Sequence, residues 1–252
     1  MQALQQQLNS EDKLVRAAAA RSVGFLPVAQ RYQMLQPLIT DSVKSVRMEV
    51  ASQLSEFPAS QLPPIYTQEL ATLMKEYLEA QNLNADMPEA QLNLGNYYTA
   101  TGDPVKAEKA YRHAISLSPA FTPALLNLAD LYRANGMDKQ AASLLQKAIN
   151  MAPDDPATWH AMGLLMVRQK NLDKAIEFLG KAAELDPVNT RFAYVYAIAL
   201  YENGKHDQAI SVLESALQKQ PGSQEIVTAL ASYYQQQGLD EKLQELSRRY
   251  SQ

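Results

Sequence analysis

The sequence predicts an all-α fold, a right-handed solenoid built from repeated helix pairs. Several sets of residues recur every 34 positions. The prolines are Pro119, Pro153, Pro187 and Pro221, and the alanines are Ala107, Ala141, Ala175 and Ala209, followed by Ala114, Ala148, Ala182 and Ala216. The glycines Gly102, Gly136, Gly204 and Gly238 keep the same period with one position missing. A period of this length, shared by several residue types, is typical of helical units that stack on one another.

Each 34-residue unit carries the signals of two helices. Apolar residues at helical spacing lead to a glycine turn, and a second amphipathic segment then runs to the proline that ends it. Asp103, Thr122 and Asp155 each stand directly before a proline, as expected of a helix N-cap. Aspartates also recur where second helices are predicted to begin, namely Asp138, Asp173, Asp207 and Asp240. We interpret these carboxylates as caps and helix-dipole partners, which removes them as candidate catalytic acids.

One turn departs from the pattern. Lys170 falls where the other units place their turn glycine. We expect the neighbouring Asn171 to take the left-handed conformation instead, and the turn to be locally irregular.

The unit resembles the tetratricopeptide repeat, whose signature is W-x2-L-G-x2-Y followed by A-x3-F, A and P. Unit 88–121 matches with Leu94, Gly95, Tyr98, Ala107, Tyr111, Ala114 and Pro119. Later units repeat the match, for example with Ala129, Tyr132, Trp159, Gly163 and Ala197, and the last keeps Leu230, Ala231, Tyr234 and Gly238 before the pattern fades. The small residues are expected to let adjacent helices approach, and the tyrosines to fill the space between units.

The first third of the chain contains a different sequence repeat. "VRAAAARSVGFLP" at 15–27 returns as "VRMEVASQLSEFP" at 46–58, an offset of 31 residues. A Val-Arg pair in an alanine-rich helix resembles short HEAT-like repeats. The register places the start of the sequence inside a repeat, as in a trimmed chain. The prolines Pro58, Pro63 and Pro64 within 55–66 predict a boundary, because consecutive prolines cannot continue a helix.

These patterns predict a three-part organisation. Residues 1–62 form HEAT-like helical repeats, and residues 63–87 form a linker with a half-repeat helix at 66–83. Residues 88–252 form an array of about five units, at 88–121, 122–155, 156–189, 190–223 and a degenerate 224–252.

Composition narrows the classes of function. The formal net charge is −4, and no basic cluster beyond Arg248-Arg249 suggests a nucleic-acid partner. The chain has no cysteine, no apolar run long enough to span a bilayer and no signal-peptide pattern. No membrane insertion is expected. The sequence leaves the compartment open: we expect a cytoplasmic protein if the chain is full length, and a periplasmic one if it is a fragment of a longer, secreted protein.

No motif in the sequence indicates catalysis or a cofactor. His113, His160 and His206 lie in three different units without metal-ligand spacing, and no nucleophile elbow, phosphate loop or dinucleotide fingerprint occurs. We therefore expect a non-enzymatic protein without cofactor or metal, whose partner is a protein or peptide.

The resemblance implies that first helices line a concave face, where a peptide would bind. The candidate polar residues are Asn93, Asn96, Asn127, Asp130 and Arg133, and the candidate apolar or aromatic anchors are His160, Leu164, Tyr194, Ile198 and Tyr201. Side-chain amides can bond the backbone of an extended peptide, and an apolar pocket can select one side chain. The asparagines equally fit a structural role, either solvated or holding adjacent helices together.

Two other hypotheses remain open. HEAT-like repeats followed by tetratricopeptide repeats resemble the C-terminal part of bacterial multihaem c-type cytochromes, although no haem-binding CxxCH motif is present. The chain would then be an assembly module of an electron-transfer protein. Alternatively, the fading last unit leaves Leu243 and Leu246 without a polar capping helix, which favours self-association into a homo-oligomer.

Overall fold

The computed structural model describes residues 2–55 and 64–250. Over these ranges the secondary structure consists of fifteen α-helices and two short 3₁₀ turns, Val23–Phe25 and Gln36–Leu38, with no strand. The first five helices are α1 (Gln2–Leu8), α2 (Lys13–Ser22), α3 (Val28–Leu35), α4 (Lys44–Leu54) and α5 (Pro64–Leu83). The next five are α6 (Pro88–Ala100), α7 (Pro104–Leu117), α8 (Thr122–Ala134), α9 (Asp138–Met151) and α10 (Pro156–Arg168). The last are α11 (Leu172–Leu185), α12 (Thr190–Glu202), α13 (His206–Lys219), α14 (Gln224–Gln236) and α15 (Asp240–Tyr250).

The chain forms two compact units, Met1–Asn127 and Leu128–Gln252. The predicted class, an all-α protein of the helical-repeat solenoid type, is confirmed. The predicted helix over 66–83 corresponds to α5. Most of the predicted boundary, residues 56–63, lies outside the described residues, and the three-part organisation stays a prediction.

The 31-residue echo in the first unit corresponds to a repeated arginine contact. Helices α2 and α4 begin 31 residues apart, and Arg16 and Arg47 occupy the same position in each. Arg16 donates to the carbonyl of Ser10 at 2.8 Å, and Arg47 donates to the carbonyl of Asp41 at 2.6 Å. Each guanidinium also forms a two-bond pair with a carboxylate further along the chain, Arg16 with Asp41 and Arg47 with Glu76. The 31-residue repeat in the sequence therefore corresponds to an arginine contact that links successive helices.

Small residues allow the two helices of a unit to pack closely. A Cβ added to Gly95 would lie 2.3 Å from a ring carbon of Tyr111, and one added to Gly163 would lie 2.5 Å from the Cγ atom of Leu179. Distances this short require the opposing side chain, or the helix that carries it, to shift. The contact explains the glycines at these two positions, whereas Ala129 and Ala197 occupy the same position of other units as buried small residues with a Cβ.

The turn around Lys170 is regular, contrary to the expectation. Lys170 itself takes the left-handed conformation, with φ of 59°, whereas Asn171 has φ of −97° and caps α11 by accepting from the Lys174 amide. The amides of Lys170 and Asn171 bond the carbonyls of Val167 and Met166, the same pattern that Gly136 and Met137 make with Arg133 and Tyr132. The repeat geometry imposes the left-handed conformation on whichever residue occupies this position.

The aspartates of the sequence analysis divide into two groups. Asp103 and Asp155 are N-caps as predicted, since their side chains accept from the amides of Lys106 and Ala157. Asp138 and Asp173, by contrast, lie inside the first turn and make no cap hydrogen bond to their own helix. Their carboxylates instead accept from the end of the next first helix, Asp138 from Arg168 at 3.0 Å and Asp173 from Asn203 at 3.1 Å. They help to hold neighbouring helix pairs together.

Replacing Lys170 by glycine should raise stability by about 1 kcal/mol, because an L-residue with a side chain pays for the left-handed conformation and glycine does not. The matched control is Gly204→Lys, which should lower stability by a similar amount, since Gly204 has φ of 76° and open space around it. Urea midpoints of the two variants and the parent would measure both changes. A Lys170→Gly variant less stable than the parent would contradict this interpretation.

Stability of the first unit should depend on ionisation of Asp41. Hydrogen bonding to Arg16 holds the pKa of Asp41 below its ordinary value of 3.8, although burial opposes this. The stabilisation is therefore complete well above the ordinary pKa of an aspartate and is lost as the pH falls below it and through the lowered folded-state pKa. Asp41→Asn should destabilise the unit by about 3 kcal/mol at neutral pH and flatten this acid dependence.

Urea titrations at several pH values would test this expectation. The control is Glu184→Gln on α11, whose pair with Lys181 is exposed and should change stability by less than about 1 kcal/mol. Equal losses of stability in the two variants at neutral pH would show that the Arg16–Asp41 pair contributes no more to stability than an exposed pair does.

Candidate peptide-binding surface

The ten predicted site residues all lie on the first helices of repeat units, but they fall into two compact units. Asn93 and Asn96 on α6, and Asn127 on α8, belong to the first unit. The other seven belong to the second unit, on α8, α10 and α12. Each group therefore has its own geometry.

In the first unit, the asparagines bond mainly to the protein itself. Oδ1 of Asn96 accepts from the Tyr111 hydroxyl at 2.9 Å and from Nδ2 of Asn127 at 2.7 Å. Asn93 donates to Gln81 at 3.2 Å. The two asparagines on α6 thus contact α5, α7 and α8, which favours the structural role considered above. Among the described residues, Nδ2 of Asn96 and Oδ1 of Asn127 have no partner, so the pair retains one donor and one acceptor for a peptide group.

Asp130 and Arg133 pair with each other. Nη2 and Nε of Arg133 donate to the same carboxylate oxygen, at 2.9 and 3.2 Å. The pair lies within one turn of α8, and both side chains are substantially exposed. An exposed pair of this kind contributes little to stability, so both groups can exchange partners at small cost.

His160 lies on α10 against an aromatic ring of α12. Its ring centroid is 4.8 Å from that of Phe192. Its Nδ1 atom is buried and has no hydrogen-bond partner among the described residues. Burial lowers the pKa of His160 from 6.5 to about 4, and the positive charge of Arg191 acts in the same direction. The imidazole is therefore neutral at physiological pH.

Leu164, Tyr194 and Ile198 are partly exposed. With His160 they are four partly exposed residues, named here the four-residue patch, in which His160 and Leu164 on α10 occupy the same repeat positions as Tyr194 and Ile198 on α12. The neighbouring Leu165 and Leu200 are fully buried, by contrast, and belong to the packing face of the same helices. The four-residue patch is the partly exposed apolar side of α10 and α12.

Tyr201 is held in a stack of rings, and its use as an anchor for a partner stays a prediction. Its ring is stacked between Tyr233, at 3.8 Å between centroids, and His206, at 4.3 Å. Its hydroxyl donates to Gln236 and accepts from Gln237. The ring and the hydroxyl of Tyr201 are thus already engaged by neighbouring side chains of the protein.

The sequence analysis missed Phe192 and Tyr233, the aromatic partners of His160 and Tyr201. Both contacts join residues 32 positions apart, and Asn96 and Asn127 are 31 apart. Residues 34 apart are equivalent in the repeat, whereas residues that touch across neighbouring first helices are separated by two or three fewer. Searching at an offset of 31 or 32 would have found these pairs.

The described residues contain no group of three or more His, Asp or Glu side chains that could hold a metal ion. Nor does any described helix combine the length and the apolar character needed to cross a membrane.

A family model of the tetratricopeptide repeat matches residues 98–165, 166–233 and 200–242, which is more than half of the chain. The chain belongs to the tetratricopeptide repeat family. The matched residues include α8 to α14, and therefore the four-residue patch. They do not include residues 1–97, so the HEAT-like assignment of the first third stays a prediction.

Several solved structures share the fold at low sequence identity. The chain is similar to MamA, with 22% identity and a TM-score of 0.54 over 62% of this chain and 91% of that one. It is similar to YrrB, with 20% identity and a TM-score of 0.51 over 68% and 88%. It is also similar to TTC0263, a protein of Thermus thermophilus, with 21% identity and a TM-score of 0.55 over 72% and 98%. No curated protein sequence matches the chain.

His160→Phe should stabilise the second unit by about 1 kcal/mol at neutral pH, because it removes a buried nitrogen without a partner and keeps an aromatic ring beside Phe192. The stabilisation by His160→Phe should increase as the pH falls. The pKa of His160 is lower in the folded state than in the unfolded state. The parent therefore has its full stability above about pH 6.5 and loses stability as the pH falls towards 4.

Urea midpoints of the parent and His160→Phe between about pH 7 and about pH 5 would measure this difference. His113→Phe is the control, because His113 is exposed. Parallel pH profiles for the parent and His160→Phe would contradict the burial of a neutral imidazole.

Proposed function

We propose that this chain is a non-catalytic interaction scaffold that binds an extended segment of a partner protein on its first helices. The observation that carries the proposal is the four-residue patch, His160, Leu164, Tyr194 and Ile198, on the partly exposed side of α10 and α12. Membership of the tetratricopeptide repeat family supports it, since these repeats are protein-interaction scaffolds. The solved structure of YrrB, which has the same fold, is described as containing an unusual peptide-binding site.

The patch supplies the anchor of this binding site. Leu164 and Ile198 offer aliphatic contact, and Tyr194 adds an aromatic ring with a polar end. A partner side chain that covers them removes apolar surface from water, at about 25 cal/mol for each Å². Tyr201, Tyr233 and His206 are already stacked on one another in the same unit, so a partner that contacts these rings costs them little side-chain freedom.

Polar contacts to the partner backbone come from side chains that retain hydrogen-bonding capacity. In the second unit these are Asp130 and Arg133, whose exposed pair can open. The first unit has a separate polar contact point of its own, where the Nδ2 group of Asn96 and the Oδ1 atom of Asn127 stay available after the two residues bond each other. A structural asparagine can therefore also bind a peptide, and the two roles considered from the sequence are compatible.

Neither catalysis nor nucleic-acid binding is part of this function. No motif with the chemistry of a nucleophile, phosphate loop or metal site accompanies the patch, and the net charge of −4 does not favour polyanions. The HEAT-like first third would extend the scaffold with a second kind of helical repeat.

Selection from a peptide-display library against the full chain would test this function. Tyr194→Ala/Ile198→Ala should weaken the binding of selected peptides by about tenfold or more, because it removes half of the anchor. The matched control is Lys181→Ala/Glu184→Ala on the second helix α11, an exposed pair that should leave the affinity unchanged. Circular dichroism would establish that both variants remain folded.

Two results would contradict the proposal. One is the absence of any shared motif among selected peptides, and the other is a motif whose affinity is the same for both double variants. A molecular mass that rises with concentration in sedimentation, together with either result, would favour self-association instead.

A further inference from the structure

Arg191 differs in charge from the residues at the same position of the other repeat units. It is the second residue of α12, and the second residues of the other first helices are Glu89, Pro123, Ala157 and Glu225. The amides at the start of a helix carry a partial positive charge, so an acidic residue is favourable in the first turn and a cation is not. The stability of α12 itself therefore does not explain an arginine at this position.

The arginine shares a face of α12 with two members of the four-residue patch. Tyr194 and Ile198 follow Arg191 at i+3 and i+7, and side chains with this spacing lie above one another on a helix. The next residue, Phe192, packs on the ring of His160, a patch residue on α10, with 4.8 Å between the ring centroids. Arg191 thus lies at the end of the patch where α12 begins.

The positive charge of Arg191 acts on the patch. Burial is the main reason that the pKa of His160 is low, and the charge of Arg191 is the next. Asp130 and Arg133 also act on His160, in opposite directions, and these two residues are hydrogen-bonded to each other at 2.9 Å. Among the described residues that act on His160, Arg191 is therefore the cation that no hydrogen-bonded carboxylate offsets.

The guanidinium of Arg191 is accessible to a partner. Its side chain is 68% exposed, and its ion-pair partner is Glu225 on α14. The 3.7 Å between Nη1 of Arg191 and Oε1 of Glu225 is too long for a hydrogen bond, and the guanidinium donates none to any other described residue. An exposed pair of this geometry contributes little to stability, so a closer carboxylate can replace Glu225 at small cost.

We propose that the partner segment carries an acidic side chain, aspartate or glutamate, next to the apolar residue that contacts Tyr194 and Ile198, and that Arg191 binds this carboxylate. The inference rests on the proposed function and adds the chemistry of the partner to it. A guanidinium presents its donors as a planar fork that matches a carboxylate, so the contact can be bidentate. Because an extended segment continues across several first helices, the carboxylate comes from a side chain and not from the end of the chain.

Arg191 would therefore determine specificity. The four patch residues are uncharged, and they accept an apolar anchor whatever stands beside it in the partner. A single cation at the end of the patch favours segments with a neighbouring acid and disfavours those with a neighbouring lysine or arginine.

Peptides selected by display against the full chain, and resynthesised with both ends blocked, would test the inference. The selected peptides should share aspartate or glutamate at a fixed spacing from their apolar anchor. Replacing this acid by asparagine or glutamine should weaken binding to the parent about fivefold. Arg191→Gln should lose the preference and bind the acid and amide forms of each peptide equally.

The matched control is Glu225→Gln, which removes the ion-pair partner of Arg191 and keeps the arginine. It should bind the acidic peptides at least as tightly as the parent, whereas a purely structural ion pair would make Arg191→Gln and Glu225→Gln behave alike. Lys181→Gln removes a positive charge from the second helix α11 and should leave the preference unchanged. The urea midpoint of Arg191→Gln should not fall, since a cation is removed from the start of a helix.

Selected peptides that require Tyr194 and Ile198 but share no acidic residue would overturn this inference and leave the proposed function intact. The same holds if the acid and amide forms bind the parent equally, or if Arg191→Gln keeps the preference of the parent. A preference seen only in peptides with a free C-terminus would also overturn it, because the carboxylate would then belong to a chain end. No enrichment of any peptide would overturn the inference together with the proposed function.

Discussion

The close approach of the two helices in each repeat is the constraint on which the rest of the structure depends. At Gly95 and Gly163 the neighbouring helix fills the space where a Cβ would be. This contact fixes which side of the first helix faces its partner helix. The remaining side, which carries Leu164, Tyr194 and Ile198 in the second unit, is left partly exposed. The packing rule of the repeat thus also determines where a binding surface can form.

Side-chain contacts between neighbouring first helices are a second feature that holds successive units together. The bond between Asn96 and Asn127 and the stack of Tyr201 on Tyr233 join residues 31 or 32 positions apart. They use polar and aromatic groups that the peptide hypothesis had assigned to a ligand. The same side chains can therefore rigidify the scaffold and shape its surface, and a rigid surface loses less entropy when a partner binds.

The fold could be predicted from the sequence because the same helix-pair signals recur in successive units. Four residue sets at a period of 34 indicated the helix pairs, and the glycine at position 163 indicated a close contact that the structure contains. The conformation of Lys170 was not predicted, because the preference of a residue for φ below zero was given more weight than the geometry of the turn. The partners of His160 and Tyr201 were not predicted either, because equivalence in a repeat and contact between repeats follow different offsets.

The central claim is that a partner segment binds the partly exposed side of the first helices. Hydrogen–deuterium exchange of the full chain, with and without a saturating peptide from the display selection, tests it most directly. The account predicts that α10 and α12 gain protection while α11 and α13 do not change. Protection confined to α11 and α13, or absent from α10 and α12, would contradict it.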